Sequence, residues 1–336
     1  MCKLHIYYVD RSSGTKFDDL TFIIVMNVID GILMKKSLLT LSLLSSLCLL
    51  GCDGASEYSN GRGGMSNGEL TLSITDAAVD NASEVWVQFS AIELKPESGK
   101  SITHVFDTPM RINLLSLQGS LSQDLFSNIS VPSGTYNWVR LAVDTDGVAD
   151  SYIIMDDGMH ELTIPSGSQS GLKISNGFVV AANSQTAMTI DFDLRKSVVM
   201  SAGQYKLKPV LRLVDNDDVG AINGSIDAAL TTGANCSDQD PQTGNAVYVF
   251  VGHDAVADDI DKISPDPITT ALMSLNVQTG NYDYEVGFLP AGNYTVAYTC
   301  MADLDDPEVD DAILFQSVSN ATVEARIDLA GADFNR

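Results

Sequence analysis

Val85-Trp86-Val87-Gln88-Phe89-Ser90-Ala91-Ile92-Glu93-Leu94 alternates apolar and polar side chains, and the alternation changes phase at its middle. Val85, Val87 and Phe89 hold one parity, Ile92 and Leu94 the other. Successive side chains of a strand point to opposite faces, so this stretch predicts a half-buried strand bent by a bulge near Ser90-Ala91. The same period returns at Leu70, Leu72 and Ile74, and in Tyr136 to Val143, Glu161 to Ile164, Thr186 to Leu194 and Tyr205 to Val214. Clusters of Gly, Pro, Asn, Asp and Ser separate these runs, which is the composition of turns. No stretch keeps a helical period with capping signals, and Asn113 to Leu117 reads as one short turn. Short strands at this spacing predict an all-β chain built from sandwiches or barrels.

A chain of 336 residues has room for about two domains. Asp215-Asn216-Asp217-Asp218 reads as an acidic linker. Beyond it, strands are expected in Ala221 to Ile226, Ala246 to Val251, Leu272 to Val277, Tyr282 to Val286, Tyr294 to Cys300 and Thr322 to Leu329. Both units carry one local device: Val131-Pro132-Ser133-Gly134-Thr135-Tyr136 in the first and Leu289-Pro290-Ala291-Gly292-Asn293-Tyr294 in the second. Pro presets one turn dihedral and Gly permits a positive φ, so each turn feeds a strand that opens with an aromatic.

The balance of 19 Lys+Arg against 44 Asp+Glu gives −25. A surface of that sign repels phosphate backbones and anionic headgroups, so nucleic acid is excluded as a partner and membrane attachment cannot be electrostatic. With 45% hydrophobic residues, the acidity is not that of a disordered chain. Met34-Lys35-Lys36 makes a positive start to an apolar run from Leu38 to Leu50, which is too short to span a bilayer comfortably. Leu49-Leu50-Gly51-Cys52 is similar to the lipobox of bacterial lipoprotein precursors, which implies a signal peptide at 34–51, a lipid (thioether and acyl chains such as palmitate) on Cys52, and a place in the cell envelope. The alternative is an uncleaved anchor helix with an incidental Cys. Asp53 after the lipidated position leaves the leaflet open, with outer membrane, periplasmic face of the inner membrane and surface exposure all permitted. Residues 1–33 precede a complete signal and read as an upstream extension from a start assigned too early. Residues 52–67, including Asn60-Gly61-Arg62-Gly63-Gly64, read as a flexible tether. Cys2 and Cys48 leave with the leader and Cys52 takes lipid, so Cys236 and Cys300 remain as a pair in an oxidising compartment. A disulfide is expected, with two buried free thiols as the alternative.

Several ordered segments of residues 68–215 carry a family resemblance: Leu72-Ser73-Ile74-Thr75-Asp76-Ala77, Ile112-Asn113-Leu114-Leu115-Ser116-Leu117, Pro132-Ser133-Gly134-Thr135-Tyr136 with Arg140-Leu141, Pro165-Ser166-Gly167 with Ser170-Gly171-Leu172-Lys173, Asp191-Phe192-Asp193-Leu194, and Leu207-Lys208-Pro209-Val210-Leu211. This unit resembles the bacterial lipoprotein domain known as domain of unknown function 4382 (DUF4382), which implies a β-sandwich and supplies no activity. Residues 216–336 resemble, more weakly, the prealbumin-like domains of carboxypeptidase regulatory regions. That resemblance rests on Ile222 to Ile226, Ala246-Val247-Tyr248-Val249 and Phe288 to Val296, and it leaves the insertion from Gly252 to Thr270 unexplained. The expected fold is therefore two β-sandwich domains, immunoglobulin-like or prealbumin-like, on a flexible lipid-anchored tether.

Catalytic sets are missing from the sequence. His104, His160 and His253 have no His or Cys at zinc-ligand spacing, and Gly167-Ser168-Gln169-Ser170-Gly171 places Gln where a nucleophile elbow needs Ser. Asp191 and Asp193 project from one strand face, with Lys173, Arg195, Lys206 and Lys208 in neighbouring motifs. This set reads either as a polar ligand face, carried by Asp191, Asp193, Lys173 and Lys208, or as a solvated outer face with cross-strand ion pairs. Residues 220–336 hold 19 acidic against three basic side chains. Asp303, Asp305, Asp306, Glu308, Asp310 and Asp311 form a candidate Ca²⁺ cluster, with a second acidic group at Asp254, Asp258, Asp259 and Asp261; a solvated acidic loop is the alternative. The sequence thus points to a non-enzymatic binding, adhesion or structural module with a protein or glycan ligand. An envelope hydrolase, or its accessory subunit with an acidic carbohydrate-binding groove, is the second reading.

Overall fold

The computed structural model describes residues 66–77, 82–143, 150–165 and 171–335. The signal segment, Cys52 and the tether as far as Met65 lie outside the described residues. Among the described residues twenty strands follow in order. The first thirteen are β1 (Asn67–Ala77), β2 (Ala82–Pro96), β3 (Ile102–Asn113), β4 (Gln123–Pro132), β5 (Gly134–Val143), β6 (Tyr152–Met155), β7 (Gly158–Thr163), β8 (Leu172–Ile174), β9 (Phe178–Val180), β10 (Gln185–Asp193), β11 (Val198–Ser201), β12 (Gln204–Leu207) and β13 (Leu211–Asp215). The rest are β14 (Val219–Ile226), β15 (Ala246–Val251), β16 (Thr269–Leu275), β17 (Tyr282–Pro290), β18 (Gly292–Thr299), β19 (Phe315–Val323) and β20 (Asp328–Ala330).

The phase change in the opening stretch is a bulge. β2 pairs with β3 and with β5, and both registers skip between Phe89 and Ala91. The skip lets Val85, Val87, Phe89, Ile92 and Leu94 all enter the core although their parities differ. β2 belongs to a nine-stranded sheet of order β11-β12-β7-β6-β2-β5-β8, with β3 beside β2 and β9 beside β5. A four-stranded sheet, β13-β10-β1-β4, contributes to the same core with Leu70, Leu72, Ile74, Ile190 and Phe192. Its central pair, β1 and β10, is parallel. Asn113 to Leu117 supplies a 3-10 turn at Leu114–Leu117, which buries Leu114 and Leu117.

Some strands differ from expectation. The run from Tyr205 to Val214 is two strands in different sheets, because Pro209 has no N–H for a ladder and Lys208-Pro209-Val210 carries the chain from one sheet to the other. β3 and β4 have no counterpart among the expected strands; in β3 the core face of Ile102, Phe106, Met110 and Ile112 is broken by His104 and Thr108, and Pro109 lies inside the strand. The expected strand from Thr322 to Leu329 is the end of β19, a turn and the start of β20.

The third sheet, β19-β18-β15-β16-β17-β14-β20, is drawn from residues beyond the Asp215 linker and bends around its own core of Ile222, Val247, Val249, Tyr284, Val296, Tyr298 and Phe334. β15 is apolar on both faces for a reason: Val247 and Val249 enter that core, whereas Ala246, Tyr248 and Phe250 enter a smaller one on the other side with Ile260 and Ala302. The insertion at 252–270 thus acts as a cover, with Ala255, Ala257 and Ile260 packed over the outer side of β15. Cys236 and Cys300 form a disulfide across a sequence separation of 64 residues. The repeated turn also has a tertiary role: the Tyr136 hydroxyl donates to the Pro132 carbonyl at 2.7 Å, and the Tyr294 hydroxyl to the Pro290 carbonyl at 2.6 Å. Among the described residues no helix is long and apolar enough to cross a membrane.

Candidate functional site

All three sheets lie within one unit, Gly61–Arg336, and the seam between the third sheet and the rest is where the polar chemistry collects. It is built from one helical turn. Asp193 ends β10 and caps α1 (Leu194–Ser197), its carboxylate accepting the Lys196 N–H at 3.2 Å. The turn aims two buried cations at the third sheet's body. Arg195 donates through Nε to Thr270 Oγ1 at 3.2 Å and through a terminal nitrogen to the Ala302 carbonyl at 3.0 Å, with its guanidinium 5.6 Å from the centre of the Tyr248 ring. Lys196 Nζ bonds to the Asp266 carboxylate and to the Pro267 carbonyl. Farther out, Lys208 and Lys262 both pair with Glu308 at 2.8 Å, and their bonds hold its carboxyl down to about 2. Gly119 and Gly287 meet backbone to backbone: a Cβ on Gly287 would stand 2.4 Å from the Gly119 carbonyl oxygen.

Beside this seam runs a cleft of about 550 Å³, lined on one side by Thr75, Asp76, Gly119 and Asp191 and on the other by Asn223, Thr270, Asp283, Glu285 and Asp333 among others. Its charged lining residues are all carboxylates. Glu285 accepts the Ser120 N–H at 3.1 Å across the seam, and Asp333 accepts from Ser225 through N–H at 2.8 Å and hydroxyl at 2.9 Å. The Asn223 Oδ1 atom is buried with no hydrogen-bond partner.

Asp76 is the least compensated carboxylate of the cleft. Only 4% of it is exposed, and among the described residues neither oxygen has a side-chain partner, the Leu194 backbone being the one group that favours its ion. Burial, then the nearby Asp191 and Asp193 charges, pushes its carboxyl well above the usual range. Asp191 is also raised by burial, against the pull of Arg212, which sits opposite it in the β10–β13 ladder and pairs with it. Burial pushes Asp193 up to about 6, against Lys196.

These contacts redraw the expected polar face. Asp191 and Asp193 do share a strand face with a cross-strand partner, but that face is buried and not solvated. Lys173 is absent from it, since it is exposed on β8 with Nζ 4.8 Å from the centre of the Trp138 ring. Lys208 is committed to Glu308. Strand parity places residues on a face and is silent on which body covers that face. Asp76, Arg212, Asn223, Asp283, Glu285 and Asp333 did not stand out as site residues in the sequence. One signal was available: Asp76 has the parity of Leu70, Leu72 and Ile74, so a carboxylate stands where the pattern calls for an apolar residue.

The two acidic stretches of the third body fold against each other. Asp259, Asp305 and Asp311 each bring a carboxylate oxygen within 4.8 Å of the others, and Asp259, Asp261 and Asp310 do the same. Asp259 is 1% exposed, and burial raises its carboxyl. The Tyr248 hydroxyl donates to Asp305 at 2.5 Å, and burial pushes that carboxyl up to about 6. The remaining acids of the expected cluster turn elsewhere. Asp303 accepts from Ser237 at 2.6 Å, Glu308 is held by two lysines, Asp306 accepts the Glu308 N–H at 3.0 Å, and in the second acidic group Asp254 accepts from Asn320 at 2.8 Å. The histidines are dispersed: His104 packs against Phe106 and Phe126, His160 pairs with Asp157, and His253 bonds to the Ala321 carbonyl.

Residues 67–209 match the family described as Domain of unknown function (DUF4382), at the place where the sequence motifs put that resemblance. No curated protein matches the chain. Among solved structures, the Bacillus anthracis TIE protein is similar at 12% identity and a TM-score of 0.18, over 79% of this chain and 34% of that one. This chain thus spans about a third of that protein. The minor pilin GBS52 of Streptococcus agalactiae is similar at 9% identity and a TM-score of 0.18, over 78% of this chain and 94% of that chain. A putative adhesin from Bacteroides ovatus is similar at 8% identity and a TM-score of 0.19, over 86% and 98%. Scores of this size lie far below the level of a shared topology.

Proposed function

We propose that this chain is a non-enzymatic binding module of the bacterial cell envelope, held to a membrane by lipid on Cys52, with the acidic cleft as its ligand site. One observation carries the reading: the cleft draws carboxylates from two bodies, and among the described residues no cationic side chain lines it. A concave site of this size with convergent acceptors suits a ligand that offers amino or hydroxyl groups, such as a basic segment of a partner protein or a glycan. The buried Arg195 and Lys196 contacts support a preformed cleft, which binds without a large ordering cost. Adhesion or assembly at the envelope is the role such a module serves. The test is binding of the full chain to an array of envelope glycans and to Lys/Arg-rich peptides, set beside the Asp283→Asn/Glu285→Gln variant. A ligand lost in the variant supports the reading; ligands that ignore the substitutions, or none at all, overturn it.

A second reading has one specific observation in its favour. Asp76, whose carboxyl burial pushes well above its usual range, stands near Asp191, which Arg212 pulls back toward the ion against burial, and two carboxyl groups held in different environments are what glycoside hydrolysis needs. Release of reducing ends from a bound glycan, abolished in Asp76→Asn, would make the cleft a hydrolase site or that of an accessory subunit.

A further inference from the structure

We propose that Asp259, Asp305 and Asp311, with Asp261 and Asp310 beside them, form a calcium site that clamps the loop after β15 to the loop after β18. This site is separate from the cleft and does not rest on it.

Three observations converge. The first is geometric: two triads of carboxylates share Asp259, and within each triad the offered oxygens lie within 4.8 Å of one another. Oxygens that all ligate one Ca²⁺ at about 2.3–2.6 Å lie within about 5 Å of each other, so each triad fits one hard cation. The second is the state of Asp259 itself. Its residue is 1% exposed, one oxygen accepts the Asp311 N–H, and the other, Oδ1, is buried with no hydrogen-bond partner. A buried carboxylate oxygen without a donor is costly unless a cation meets it. The third is charge: five carboxylates gather here, the Asp258 charge adds to them beside Asp259, and Arg195 is a cation whose charge reaches Asp305. The nearby lysines pair with other acids, Lys262 and Lys208 with Glu308 and Lys196 with Asp266.

Oxygen-only ligands, three carboxylates to a triad and a loop framework suit Ca²⁺ better than Mg²⁺, which keeps most of its water and holds few protein ligands. The clamp has a structural consequence. It would fix the 252–268 cover over Tyr248, Phe250 and Ile260, and so hold Asp266 in place for Lys196 at the seam.

Tyr248 provides a reporter, because its hydroxyl touches the ligand Asp305. The full chain is titrated with Tb³⁺, and luminescence sensitised by tyrosine excitation is followed. Saturable emission is expected, displaced by Ca²⁺ at lower concentration than by Mg²⁺. Affinity is expected to fall more than about tenfold in Asp259→Asn and in the exposed Asp310→Asn, and to hold in Asp254→Asn. Asp310→Asn keeps the test valid if the buried Asp259→Asn does not fold. No sensitised emission, equal displacement by Mg²⁺, or wild-type affinity in Asp310→Asn would overturn the proposal.

Discussion

Replacing Asp193 by Asn is expected to stabilise the protein at pH 8 and to leave it unchanged at pH 4. Asp193 is 3% exposed, one of its oxygens caps α1, and Oδ2 has no partner. Burial lifts its carboxyl from 3.8 to about 6 in the folded chain. A carboxyl raised by folding holds its proton longer in the native state than in the unfolded one. Its contribution is therefore fully present below pH about 4 and is lost as pH rises through about 6. The step corresponds to about 3 kcal/mol at pH 8, at about 1.4 kcal/mol per tenfold change in proton affinity. The Asp191 charge adds to that cost while Lys196 and Arg212 relieve it, so removing the Asp193 charge is expected to recover about 1–3 kcal/mol. Asn caps a helix about as well as Asp, which preserves the bond to the Lys196 N–H. Lys196 keeps Asp266 as its counterion. Urea unfolding of wild type and Asp193→Asn at both pH values measures the difference. A loss of stability that is equal at pH 4 and pH 8 would refute the electrostatic account and leave only cap geometry.

Opening the Cys236–Cys300 bond, by reduction or by Cys→Ser at both positions, frees a loop of 64 residues and is expected to cost about 4 kcal/mol, read as a lower unfolding midpoint. Tyr136→Phe and Tyr294→Phe each remove one part-buried bond to a proline carbonyl, so each is expected to cost about 1 kcal/mol in chemical denaturation. The two losses are expected to add, since the residues sit in separate cores; strong coupling between them would contradict that separation. Lys196→Met strips the cation from Asp266 and the Pro267 carbonyl and is expected to cost about 2–4 kcal/mol, with faster proteolysis at the seam; an unchanged midpoint would remove Lys196 from the seam's support.

Strand parity carried far in this chain. The bulge at Ser90 and the two Pro-Gly-Tyr turns are local patterns with local physical causes, and the Cys236–Cys300 pair followed from the fate of the other three cysteines, so each was readable before the fold was known. β3 was harder to read, because its core face of Ile102, Phe106, Met110 and Ile112 is interrupted by His104 and Thr108, and Pro109 falls inside it. The break in the Tyr205 to Val214 run was missed for another reason: Pro209 marks it, but only the choice of sheet on each side shows why the chain breaks there.

Composition and spacing alone determined that this chain is β-rich and acidic, with a lipobox-like Cys52 and two acidic stretches in its second half. Tertiary structure decided what those acids do. Asp191 and Asp193 read either as a ligand face or as a solvated one, and in the fold both are buried, while Asp259 and Asp305 stand 46 residues apart in the chain yet share one corner. A carboxylate's chemistry depends on its dielectric surroundings and on the charges within a few ångströms, and both are set by which surfaces meet in the fold.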